Sequence, residues 1–204
     1  MPGRNLEKIY IEDSYYHVYG RGHSKNAVFR DNNDYAVFLN LFKRYLSDKP
    51  AKDKQNREYP WLHGEIELLA FCLMSNHFHA LVYQTKPDAM TKLFKSVIIT
   101  YSMYFNKKYK LLGPVFQSRF KASMINRDDY LMHVSRYIHL NPKKYTAWRF
   151  SSLPYYYGQQ SAEWLQPGKI LDLFNSQMEY KSFVEDYEDH KKMLAEIKPE
   201  LANY

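Results

Sequence analysis

Polar and apolar residues alternate through residues 15–22, where aromatic and β-branched side chains lead to the Gly20-Arg21-Gly22 turn, the pattern of a first strand. From Asp34 the period changes: Tyr35, Phe38, Leu39, Phe42, Tyr45 and Leu46 recur at steps of three and four, which predicts a helix with one buried face. Residues 47–64 carry Lys, Asp, Gln and Pro without a period, so a solvated connection is expected there. Strands are then expected over 65–74 and 77–84, with Ser75 and Asn76 as the turn of an antiparallel hairpin. Met90, Leu93, Phe94, Val97, Ile98, Tyr101 and Phe105 form the stripe of a second helix, which ends at Lys107 and Lys108 before Gly113 and Pro114. Alternation over 116–125 predicts a fourth strand. Asn126 and Asp129 are spaced as an N-cap pair for a helix that starts at Arg127. That helix should stop at Asn141, because Pro142 lacks an amide proton and disfavours helical geometry in the residue before it.

The order β-α-β-β-α-β followed by a helix predicts an α+β fold of the ferredoxin-like, split βαβ kind: a four-stranded antiparallel sheet with two helices on one face. The other face is expected to stay available, and the helix that ends at Asn141 is expected to lie on it. Residues 148–204 read as an aromatic loop followed by one or two amphipathic helices, and no internal repeat is found.

Composition narrows the class. With 204 residues, 45% of them apolar and 17% aromatic, the chain suits one sizeable core rather than a disordered or fibrous form. Lys and Arg exceed Asp and Glu by 29 to 22, a net charge of +7, which points to anionic partners. The longest apolar run, 66–74, is about half of a spanning helix, so no membrane partner is expected. Residues 1–12 are charged and lack an apolar signal core, and the single cysteine, Cys72, lies in a strand-like run. A reducing, cytoplasmic setting is the expectation, with neither a disulfide frame nor a thiolate zinc cluster.

Side chains alternate across a strand, so His77 and His79 share one face while Phe78, Ala80 and Val82 point into the helix-covered core. Two imidazoles with Cα atoms roughly 7 Å apart can bind one metal ion. On its own a His-x-His pair equally marks exposed or hydrogen-bonding histidines. Tyr137 and Asn141 stand four apart on the last predicted helix, so phenol and carboxamide project from one side, one turn apart. A helix laid across the available face brings both towards the histidines. His17, His133 and His139 read as structural, with His133 the nearest candidate for a supporting place.

Met74-Ser-Asn-His-Phe-His-Ala-Leu81 resembles the HUH motif of single-tyrosine transposases. Tyr16-His-Val-Tyr-Gly-Arg-Gly22, Gly113-Pro-Val-Phe-Gln-Ser-Arg-Phe-Lys121 and Asp129-Tyr-Leu-Met-His-Val-Ser-Arg-Tyr-Ile-His-Leu-Asn-Pro142 resemble successive blocks of the REP-associated branch of that family. The segment 148–157, with Ser151 and Ser152, resembles the stretch after the family's catalytic helix. Two departures stand out: 47–64 is longer than the usual connection, and Ser75 stands where many relatives carry Pro. Neither removes a group from the site.

The resemblance implies an HUH transposase-like catalytic domain over 1–145 and a C-terminal extension over 146–204 that packs on it. It implies Tyr137 as the nucleophile, His77, His79 and Asn141 as ligands of Mg²⁺ or Mn²⁺, and a 5′-phosphotyrosine intermediate in the nicking and transfer of hairpin-forming single-stranded DNA, with no nucleotide cofactor. The histidines alone would suit zinc, manganese or iron better than magnesium, so the sequence does not fix the ion, and manganese is the best compromise. Arg21, Lys107, Lys108, Arg119, Lys121, Arg136, Lys143 and Lys144 are the candidate DNA contacts, and a monomer acting in cis is expected ahead of a swapped dimer. The alternative is a protein that holds structured DNA or RNA without cutting it.

Overall fold

The computed structural model describes residues 10–186. Strands β1 (Ser14–Arg21), β2 (Ile66–Met74), β3 (His77–Gln84) and β4 (Lys121–Ile125) form one antiparallel sheet in the order β2-β3-β1-β4. Helices α1 (Asn32–Leu46) and α2 (Ala89–Tyr109) cover one face, and α3 (Asp128–His139) lies on the other. The three short helices α4 (Leu153–Tyr156), α5 (Gly168–Leu171) and α6 (Gln177–Glu185) come next, and the expectation for the end of the extension falls outside the described residues. Among the described residues no helix is long and apolar enough to cross a membrane.

The sheet separates two apolar layers. Tyr16, Val18, Leu68, Leu73, Phe78, Ala80 and Val82 pack under α1 and α2. All seven residues of the expected α2 stripe are buried, whereas in α1 Leu41 is buried and Leu39 only partly so. The second face is less open than expected. Cys72, Leu81 and Ile125 pack there with Leu131, Val134 and Ile138 of α3 and with Tyr156 and Tyr180. Gly20 lets the two strands close over Phe78, since a Cβ at Gly20 would stand 2.5 Å from the Phe78 ring.

Three boundaries differ from the sequence expectation. Strand pairing on β4 begins only at Lys121, because the edge of β1 beyond Tyr19 is taken by 115–117: Gln117 N donates to Arg21 O at 2.8 Å and His23 N to Val115 O at 2.9 Å. At the start of α3 the N-cap position is Arg127, with no side-chain cap; its guanidinium pairs with Asp129 instead of leaving Asn126 to cap. At the other end α3 stops at His139, so Asn141 sits just past the helix rather than on it.

The outer edge of β2 is closed by the segment after α3. Leu73 N donates to Phe150 O at 2.9 Å, Ser152 N to Phe71 O at 2.9 Å, and Phe71 N to Ser152 Oγ at 2.8 Å. Trp148 Nε1 and the Tyr156 hydroxyl donate to Leu73 O and Leu69 O. His139, fully buried, ties α3 to this strap through Ser152 Oγ and the Tyr180 hydroxyl, each at 2.7 Å.

On the opposite side, α1 starts from a capping box in which Asp31 accepts from Asp34 N at 3.0 Å and Asp34 accepts from Asp31 N at 3.3 Å. The Asp34 carboxylate, buried, also accepts from Arg30 N, Lys108 Nζ and the hydroxyls of Tyr104 and Tyr109. Burial pushes its pKa up, but Lys108 and the hydrogen bonds more than offset this and hold it below the ordinary 3.8. Replacing Asp34 by Ala strands those donors, so Asp34→Ala should lower unfolding stability at neutral pH by about 2–4 kcal/mol in urea melts. A carboxylate with a depressed folded pKa contributes its stability above the unfolded value and loses it as pH falls through the folded one. The gap between wild type and variant should therefore narrow as pH falls below about 3.8.

Candidate metal and nucleophile site

The β1–β3 register pairs Arg21 with His77 and Tyr19 with His79, which places these four side chains on the face that meets α3. A cavity of about 560 Å³ opens there, lined among others by Tyr19, Arg21, Lys25, His77, His79, Gln117, Ser118, Lys121, Tyr137 and Asn141. The His77 and His79 rings stand nearly perpendicular with centroids 5.0 Å apart. Tyr137, in the last turn of α3, meets His79 edge-on at 5.3 Å.

Hydrogen bonds fix how His77 presents itself. Asn76 Nδ2 donates to Lys25 O, so its Oδ1 faces His77 Nδ1, at 2.6 Å, as an acceptor. His77 then carries its proton on Nδ1, and the Nε2 lone pair points at Asn141 Oδ1 3.1 Å away. Two acceptors at that distance repel unless a cation sits between them or the Asn141 amide turns to donate. Burial lowers the pKa of His77, as does Arg21, and the Asn141 contact opposes them only in part. For His79 burial is again the first cause, followed by His17 and His77, and its pKa falls well below 6.5. Both rings are thus held neutral, the form that binds a metal. Two neutral imidazoles and a carboxamide oxygen fit a divalent cation on the chemistry of the donor set.

The expected site residues do not all gather here. His77, His79, Tyr137, Asn141, Arg21 and Lys121 line the cavity. Lys143 and Lys144 are exposed two and three residues beyond Asn141, and Arg119 is exposed beside Ser118. Lys107 is exposed on α2, the helix of the opposite face. Two expectations are corrected. Lys108 is held by Asp31 and Asp34 at 2.7 Å each, locking α2 to α1 on the far side of the sheet. Arg136 is 2% exposed; its Nη1 donates to Phe183 O at 2.9 Å and its guanidinium lies 4.1 Å over the Phe183 ring. Both cations are structural ties.

His133 faces Phe183 with ring centroids 5.3 Å apart, whereas His17, fully buried, places Nε2 2.9 Å from His79 Nδ1 and meets Tyr137 edge-on at 6.0 Å. His17 shares its strand face with Tyr19 and Arg21. That face was readable from the alternation; the register that sets it beside His79 was not. Lys25, Gln117 and Ser118 reach the cavity only through the turn and loop that bracket β1.

Residues 60–141 match the family model described as Transposase IS200 like. Over this segment the chain is similar to the IS200-like transposase family. The match contains His77, His79, Tyr137 and Asn141, while β1 lies ahead of it. A solved REP-associated tyrosine transposase bound to a REP hairpin shares the fold, with a TM-score of 0.53, 16% identity, and coverage of 85% of this chain and 96% of that one. No curated protein matches the sequence. Arg136 serves the junction of α3 with α6, so Arg136→Ala should cost about 2 kcal/mol of unfolding stability in urea, with loss of the packing as well as the hydrogen bond.

Proposed function

We propose that the protein nicks and rejoins single-stranded, hairpin-forming DNA in a metal-dependent reaction with Tyr137 as nucleophile. The observation that carries this reading is the meeting of Tyr137 with His79, 5.3 Å between ring centroids, in the cavity where His77 and Asn141 stand 3.1 Å apart. All four groups come from one chain, which supports a monomer acting in cis. The similar transposase bound to a REP hairpin supports a DNA hairpin as partner.

Tyr137 Oη bonds to phosphorus, and the bond from phosphorus to the 3′-oxygen breaks. The phenol proton is lost to solvent and the leaving oxygen takes one up, giving a 5′-phosphotyrosine and a free 3′-hydroxyl. One phosphoester replaces another, so attack by a new 3′-hydroxyl rejoins a strand at little cost. Mg²⁺ or Mn²⁺ held by His77, His79 and Asn141 supplies charge neutralisation and polarisation at the scissile phosphate. Arg21 and Lys121, on the cavity wall, offset neighbouring phosphate charge.

Labelled hairpin-flanked single-stranded DNA with Mn²⁺ should yield a protein-linked oligonucleotide on a denaturing gel. Tyr137→Phe should abolish that adduct while leaving the Kd within about fivefold, since a hydroxyl contact is worth ~1 kcal/mol; an undiminished adduct removes Tyr137 from the role. His77→Ala or His79→Ala should lower adduct formation by about 100-fold or more. In salt titrations of DNA binding, Arg21→Ala and Lys121→Ala should each reduce the slope of log Kd against log salt by about 1, and Lys108→Ala should leave it unchanged.

A further inference from the structure

We infer that His17 is a positioning residue that selects the metal-binding tautomer of His79, by accepting a hydrogen bond from His79 Nδ1 so that Nε2 is left to the cation. The inference rests on the metal-site reading above and adds a residue to it. His17 comes from β1 with its side chain on the His77 and His79 face; its Nε2 lies 2.9 Å from His79 Nδ1, and the two rings are nearly parallel at 11° with centroids 5.0 Å apart.

One proton occupies that bond, and its position decides what His79 can do. If His17 donates, His79 carries its own proton on Nε2 and cannot bind a cation there. If His79 donates, its Nε2 lone pair is available. The buried His17 Nδ1 has no hydrogen-bond partner among the described residues, so no second contact commits His17 to one tautomer. It can accept from His79 whenever a cation claims Nε2. A carboxylate in the same place would orient His79 as firmly, the more usual arrangement for a ligating histidine. It would also put a negative charge beside a site that must admit a phosphate. A neutral imidazole gives the orientation without that repulsion.

The test uses the full chain, the metal ions alone and two isosteres. Gln at 17 can place its carboxamide where His17 Nε2 now lies; Asn reaches only to the position of Nδ1. Mn²⁺ affinity, followed by electron paramagnetic resonance of the free ion, should fall about 10–100-fold in His17→Asn and stay within about threefold of wild type in His17→Gln. In ¹⁵N NMR of the wild type with diamagnetic Zn²⁺ as probe, His79 should carry its proton on Nδ1, and circular dichroism checks the fold of each variant. Equal affinity in His17→Asn and wild type, equal losses in both variants, or Nε2 protonation of His79 with Zn²⁺ bound would each overturn the role. His77→Ala is the site control. If wild type binds no Mn²⁺, or His77→Ala binds it unchanged, the metal-site reading itself falls and the role of His17 with it.

Discussion

The pairing of β1 with β3 is the constraint on which the molecule depends. Alternation makes each strand two-sided, but only the register decides which side chains of the two strands become neighbours. Here it sets Gly20 under Phe78 on the helix-covered side and Tyr19, Arg21 and His17 around His77 and His79 on the other. Slipping β1 by one residue would send His17 into the apolar layer and Val18 into the cavity. The burial of Phe78, Ala80 and Val82 therefore fixes the site as firmly as any contact within it.

Much of this was legible in the chain. The period-two run of β3 separated His77 and His79 from Phe78, and the seven-residue stripe of α2 showed where the helical layer lies, because both patterns are local and strong. The HUH-like and Tyr-x-x-x-Asn blocks fall within the matched residues 60–141. Contacts far apart in sequence were not legible. Lys108 meets Asp31 across 77 residues and reads as a basic helix end until α1 is placed beside it. Arg136 precedes Tyr137, yet one residue along a helix turns the side chain by about 100°, enough to send it to Phe183 instead of the cavity.

Placement of the tyrosine is a tertiary property. Tyr137 lies in the last turn of α3, and the same turn is tied by His139 to Ser152 and Tyr180 and by Arg136 to Phe183. Residues after 145 thus hold the helix that presents the phenol. Their short helices carry too weak a pattern to reveal this, since the ties are scattered apolar contacts and single hydrogen bonds rather than a repeating stripe.

The strap over β2 has a further effect on how the molecule lives in a crowded solution. A bare outermost strand offers unpaired amides and carbonyls to any other extended chain, a route to aggregation. Phe150, Ser151 and Ser152 occupy part of that margin from within, leaving as the other margin the five-residue β4, which begins at a lysine. With one margin partly occupied and the other short and charged, the sheet offers a foreign strand little room to add itself.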